Sequence, residues 1–252
     1  MPRFAANLTH LWPELPFLDR FDAAAQAGFT AVEVLFPYDF PAGEIQQALQ
    51  RCGLEMVLIN APPPNYTGGD RGFAAMAGRE DRFAHDMRRA TRFAQALGVS
   101  FIHVMAGVAE GDAARKTMVE NLKLACGLAP VGLTLTLEPL CPASAPGYFL
   151  NDFDLAAGII AEVGADNLAL QWDSYHAQEI TGDALACFAA MRPLIRHIQI
   201  GDAPGRGPPG SGVVDFPALF RAIDNSGYDG WVSAEYTPGA QTDKTLGWMK
   251  SA

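Results

Sequence analysis

Short apolar runs alternate with amphipathic stretches from one end of the chain to the other. The runs Phe4 to Leu8, Ala31 to Leu35, Leu54 to Ile59, Phe101 to Met105, Leu133 to Leu137, Leu168 to Trp172, Ile195 to Ile200 and Trp231 to Ala234 read as strands buried on both faces. Between them, apolar residues at helical spacing predict helices over Phe17 to Ala27, about Ala42 to Cys52, about Glu80 to Leu97, a stretch ending near Ala129, about Asp152 to Val163, about Asp183 to Met191, Phe216 to Ser226 and Thr242 to Met249. Gly53 and Gly98 stand where helix C-terminal glycines belong. Eight strand–helix units in 252 residues predict one closed (β/α)8 TIM barrel spanning residues 1–252, because eight such units at this length favour a barrel over an open sheet.

Two connections depart from this economy. Asn60 to Gly78 and Gly201 to Gly212 are long, rich in Gly and Pro, and both follow strands. In a barrel that places them at the C-terminal face, as lids or substrate contacts, with tolerated insertion as the alternative.

Four strand runs close on a polar side chain: Glu138, Asp173, Gln199 and Glu235, spaced 35, 26 and 36 residues apart. That spacing is near the roughly 30 residues of one βα unit, so the four belong on successive strand ends around one mouth. Converging carboxylates repel unless a cation or a shared proton neutralises them, and an all-oxygen set suits Mg2+ or Mn2+. Singly, each has a plainer explanation: a structural ion pair for Glu138 and Glu235, a helix N-cap for Asp173 in D-S-Y-H, ordinary strand alternation for Gln199. His176 lies close enough to Asp173 to reach the same mouth, and Arg206 sits on the loop after Gln199, where a guanidinium can grip a carboxylate bidentately; Arg71 and Arg79 are the next candidates for that grip. His103 reads as facing the barrel interior or a helix rather than a ligand, and His197 shares the face of Gln199 but lies deeper.

Composition removes competing classes. Hydrophobic residues make up 49% and charged residues 18%, which gives a globular chain with a sizeable core. The net charge of −10, with no Lys/Arg run longer than two, excludes an electrostatic footprint for nucleic acid. Cys52, Cys126, Cys141 and Cys187 show no C-x-x-C spacing, no run approaches a membrane span, and M-P-R-F-A-A-N-L-T-H is too short in its apolar part for a signal peptide. A cytoplasmic protein without a membrane partner is expected, with homo-oligomer formation left open. No G-x-S-x-G elbow, Walker loop or G-x-G-x-x-G after a strand is present, so metal-assisted chemistry on a small molecule remains.

The segments F-A-A-N-L, P-F-L-D-R-F, A-G-F-T-A-V-E-V-L-F-P-Y-D-F-P, G-R-E, H-V-M-A-G, V-E-N-L, P-G-Y-F-L, L-Q-W-D-S-Y-H-A-Q, H-I-Q-I and G-Y-D-G-W-V run in the same order through nearly the whole chain in hydroxypyruvate isomerases of the xylose-isomerase-like barrels, which this sequence resembles. The resemblance implies that Glu138 and Glu235 are the acid/base pair, that both bind Mg2+ or Mn2+ together with Asp173 and Gln199, and that His176 and Arg206 contact a 2-oxo or hydroxy acid. The implied reaction interconverts hydroxypyruvate and 2-hydroxy-3-oxopropanoate through an enediolate, Glu138 removing and Glu235 returning the proton, or the reverse. H-A-Q after Tyr175 is similar to the branch that includes 2-oxo-tetronate isomerases. Two places differ from the family pattern. Gly207, Pro208, Pro209, Gly212 and Val213 stand where the family has His-Glu-Pro and Gly-Glu, and T-H-L-W stands where it has S-M-L-F or a close variant. A ketose 3-epimerase, a metal-dependent phosphodiesterase and a non-catalytic sugar-acid binding protein are the rival readings.

Overall fold

The computed structural model describes residues 2–61 and 71–250. The third predicted strand is split: β1 (Arg3–Asn7), β2 (Ala31–Glu33), β3 (Glu55–Met56) and β4 (Leu58–Asn60) are followed by β5 (Phe101–His103), β6 (Thr134–Leu137), β7 (Leu168–Asp173), β8 (Ile195–Ile200) and β9 (Trp231–Ala234). All described pairings between these strands are parallel, in the order β3-β2-β1-β9-β8-β7-β6-β5-β4. Between the two halves of the split strand, Val57 N–H donates to Val32 O (2.8 Å) while Val57 O accepts from Phe101 N–H (3.0 Å). One residue therefore bonds both neighbours and joins the sheet's ends, as the expected barrel requires.

The helices α1 (Asp19–Gln26), α2 (Ala42–Cys52), α3 (Glu80–Leu97), α4 (Gly111–Leu128), α5 (Phe153–Val163), α6 (Ser174–Thr181), α7 (Ala184–Met191) and α8 (Phe216–Asn225) surround the strands. Gly53 (φ 64°) and Gly98 (φ 70°) end α2 and α3 in the left-handed conformation expected of them. Asp152, Asp183 and Asp215 cap α5, α7 and α8 by accepting from the N–H of Leu155, Ala186 and Ala218. Two helical expectations need correction. α6 is an additional helix, started by the Asp173 carboxylate and stopped at Gly182 (φ 77°). The last predicted helix is wound as 3-10 turns over Thr242–Lys250, where Thr245 Oγ1 bonds Thr242 O (2.7 Å) and Gly247 weakens α-helical propensity. Among the described residues no helix is long and apolar enough to cross a membrane.

Most of the core lies between strands and helices. Inside the barrel, Ala5, Ala31, Val57, Leu58 and Trp231 form a separate apolar cluster with Leu35 and Phe101 packed on it. Above this floor the interior is polar: Asn7, Glu33, Asn60, His103, Thr136, Gln171, Gln199 and Ser233 are all buried, one from each staves' worth of sheet when β3 and β4 count together.

Candidate active site

Each strand delivers its last inward residue to one mouth because side chains alternate faces along a strand. Glu138 follows β6, Asp173 ends β7, Gln199 is the penultimate residue of β8, and Glu235 follows β9. All four are at most 5% exposed.

Each carboxylate has one oxygen fixed by protein donors. Glu138 Oε2 accepts from Gln171 Nε2 (3.0 Å), Glu235 Oε2 from Asn7 Nδ2 (2.9 Å), and Asp173 Oδ1 from the N–H groups of Tyr175 (2.7 Å) and His176 (3.3 Å). The N-cap explanation of Asp173 is thus correct for one of its oxygens. Of the remaining oxygens, Asp173 Oδ2 (2.7 Å) and Glu235 Oε1 both accept from Arg206 Nη2. Glu138 Oε1 is buried with no hydrogen-bond partner. Burial, then the charges of Glu235 and Asp173, raises the Glu138 pKa well above the carboxylate range. Burial opposes ionisation of Glu235 too, but Arg206, together with His10 and His176, outweighs this and holds its pKa low.

The loop over 201–214 presents Arg206 to these acids. Asp202, fully buried, accepts through Oδ1 from Ala203 (2.9 Å) and Val214 (3.0 Å) N–H, and through Oδ2 from Gly210 (2.9 Å) and Gly212 (2.7 Å) N–H. A Cβ on Gly212 would lie 2.0 Å from Ala203 O, which explains a glycine there. Arg206 has φ 54°, and its carbonyl accepts from Thr237 N–H (2.7 Å).

The remaining walls are built from residues the four-strand pattern passes over. His176 Nε2 is 3.8 Å from Glu138 Oε1, and its Nδ1 accepts from Cys141 N–H (3.0 Å). Burial, with Arg206 nearby, pushes the His176 pKa well below its usual value, so the ring is neutral and carries its proton on Nε2, aimed at the mouth. His103 Nδ1 is 3.4 Å from Glu138 Oε2, without hydrogen-bond geometry; both its nitrogens and Asn60 Oδ1 are buried and unpartnered. Burial lowers the His103 pKa to about 4. Tyr148 Oη accepts from Ala106 N–H (2.8 Å). His10, in the unusual T-H-L-W segment, stands 3.5 Å from Glu235 Oε1, and Trp12 fastens that segment to Thr242 and Asp243. His197 lies below Gln199, as its place on the strand predicts, with Nε2 2.7 Å from Glu33 Oε2.

The four-strand pattern passes over Asn7, Glu33, Asn60 and Gln171, each a polar residue in or at the end of an apolar strand. Of these only Asn60 directly follows a predicted apolar run, as Glu138 does; the others lie within theirs. Of the two long loops, residues 62–70 lie outside the described residues. Arg71 is exposed beside Gly72, whose backbone bridges to Ala106 at the mouth, and its charge acts on both Tyr148 and His176. Arg79 instead stands at the N-cap of α3.

Glu138, Asp173 and His176 each offer a ligand atom, all within 4.8 Å of one another, so the mouth holds a possible metal site. The unpartnered Glu138 Oε1 and the Asp173 carboxylate beside it fit a hard cation. The His176 tautomer fits a donor to a ligand oxygen better than a bond to metal, since its lone pair on Nδ1 is already taken.

The comparisons with known proteins agree on the family. Residues 21–252 match the model of the xylose isomerase-like TIM barrel. The chain is 45% identical to a 2-oxo-tetronate isomerase of Cupriavidus necator, covering 99% of this chain and 98% of that protein. It is 39% identical to the hydroxypyruvate isomerase of Escherichia coli K12, with the same coverage. A crystal structure from Brucella melitensis described as an AP endonuclease of family 2 superposes with a TM-score of 0.96 at 42% identity, covering 100% of this chain and 99% of that one. The chain belongs to the xylose isomerase-like TIM barrel family and is an isomerase within it.

Proposed function

We propose that the protein is a divalent-metal-dependent isomerase of short 2-oxo acids bearing a neighbouring hydroxyl, acting on hydroxypyruvate and on its four-carbon 2-oxo-tetronate relative. The observation that carries this reading is the pair of buried glutamates, Glu138 and Glu235, at one mouth, each with one oxygen fixed by an amide and the other turned inward. One glutamate removes the proton from the hydroxyl-bearing carbon, giving an enediolate, the other returns a proton to the former carbonyl carbon, and the hydroxyl proton passes to the former carbonyl oxygen as the hydroxyl becomes the new carbonyl. Glu138, Asp173, Gln199 and Glu235 would hold Mg2+ or Mn2+, which supplies charge stabilisation to the enediolate oxygens. His176 donates Nε2–H to a substrate oxygen, and Arg206 holds the carboxylate. The net charge of −10 argues against a DNA substrate, whatever the description of the Brucella structure.

Room for a fourth carbon is supported by Asn60 Oδ1 and the His103 nitrogens. Each buried group without a partner costs about 1–3 kcal/mol, and a terminal hydroxyl can give Asn60 the donor it lacks. With Mn2+-loaded protein, a 2-oxo-tetronate should be turned over with kcat/KM at least equal to that for hydroxypyruvate, and exhaustive chelation should abolish both activities. A preference for hydroxypyruvate above about tenfold, 1.4 kcal/mol, refutes the wider pocket. Full activity after chelation refutes the metal.

His176→Ala should lower kcat/KM at least about tenfold, the value of one hydrogen bond to a developing charge, while changing the Mn2+ dissociation constant by less than about threefold. A loss of Mn2+ affinity comparable to that of Asp173→Ala would make His176 a ligand instead.

A further inference from the structure

The polar layer beneath the mouth is a directional chain. Thr136 Oγ1 donates to Gln171 Oε1 (2.9 Å), which turns the Gln171 amide so that Nε2 donates to both Glu138 Oε2 (3.0 Å) and Gln199 Oε1 (2.7 Å). Gln199 Nε2 in turn donates to Glu33 Oε1 (2.7 Å). The same Glu33 oxygen accepts from Asn7 Nδ2 (2.8 Å), whose other N–H holds Glu235, and Asn7 Oδ1 accepts from Thr9 N–H (2.9 Å). His197 Nε2 sits on Glu33 Oε2. Every side chain in this chain of contacts from Thr136 to Asn7 is fully buried, so no bulk water can substitute for a missing partner.

An amide has a donor end and an acceptor end, and a carboxylate only accepts. Glu33, which bonds Gln199 and Asn7 but none of the three mouth carboxylates, therefore decides which end of Gln199 faces it, and through Gln199 supports the orientation of Gln171. Asn7 and Gln171 each clamp one oxygen of a mouth glutamate. We infer that Glu33 is a positioning residue: together with Asn7 and Gln171 it sets the amide orientation of Gln199 and turns Oε1 of Glu138 and Oε1 of Glu235 toward a common cation. This rests on the proposed metal-dependent reading.

The test uses the full-length protein and Mn2+ alone, titrated calorimetrically. Glu33→Gln removes the negative charge and replaces one of the two acceptor oxygens with an N–H. Gln171→Met keeps the length of the side chain and removes both its N–H groups. Each variant should bind Mn2+ at least about tenfold more weakly, the usual effect of disturbing groups behind metal ligands, and should lose kcat with a smaller change in KM. Gln171→Met carries the test alone if Glu33→Gln does not fold. A folded variant with a lowered thermal midpoint but a Mn2+ dissociation constant within about threefold of wild type makes the layer merely structural and overturns the inference. Wild-type protein that binds Mn2+ yet turns over no 2-oxo acid sinks the proposed reaction, and the affinity comparison still decides the positioning role. Wild-type protein that binds no Mn2+ removes both.

Discussion

Glu138→Gln and Glu235→Gln are each expected to lower kcat at least about a hundredfold, because a placed acid or base contributes about 10² to 10⁴ to a proton transfer. Glutamine keeps the shape and the contact with Gln171 or Asn7 but cannot exchange a proton on the reaction's timescale. Substrate affinity should fall less, since the carboxylate and hydroxyl contacts lie elsewhere. The two losses should be strongly non-additive, as each glutamate serves one half of a single transfer. Isomerisation run in D2O should place deuterium on carbon unless a shielded glutamate returns the same proton. Turnover within about threefold of wild type in both variants would end the two-glutamate mechanism.

The barrel and its mouth were legible in the sequence because both rest on local patterns. Buried parallel strands show as unbroken apolar runs, and a charged residue closing such a run is conspicuous: Glu138 after T-L-T-L and Glu235 after W-V-S-A. What stayed hidden depends on partners far apart in the chain. Glu33 meets Gln199 and His197 across more than 160 residues, and nothing in A-V-E-V-L marks that encounter. Arg206 was expected to grip a substrate carboxylate; that role is a proposal, and here its guanidinium lies on Asp173 and Glu235. The additional helix α6 was missed because Asp173 was read chiefly as a strand end, although the same carboxylate also caps the helix that follows.

The altered loop after β8 is expected to depend on Asp202 more than on the residues that replace the family's polar side chains. Asp202 gathers four backbone N–H groups from residues 203, 210, 212 and 214, closing the loop on a single carboxylate. Asp202→Asn replaces one acceptor oxygen with an amide N–H aimed at two backbone donors. Losing hydrogen bonds to a charged acceptor costs about 1.5–3 kcal/mol each, enough to open the loop without unfolding the barrel. Arg206 is the side chain with most to lose, since its left-handed backbone is held only while the loop is closed. Limited proteolysis should therefore cut within 203–213 faster in Asp202→Asn than in wild type, and kcat/KM should fall at least about tenfold. A double-mutant cycle separates a direct effect from one exerted through Arg206. If Asp202 acts by holding the guanidinium, adding Asp202→Asn to Arg206→Ala changes kcat/KM by less than about twofold, whereas multiplied losses would show that the loop touches the substrate by some other group.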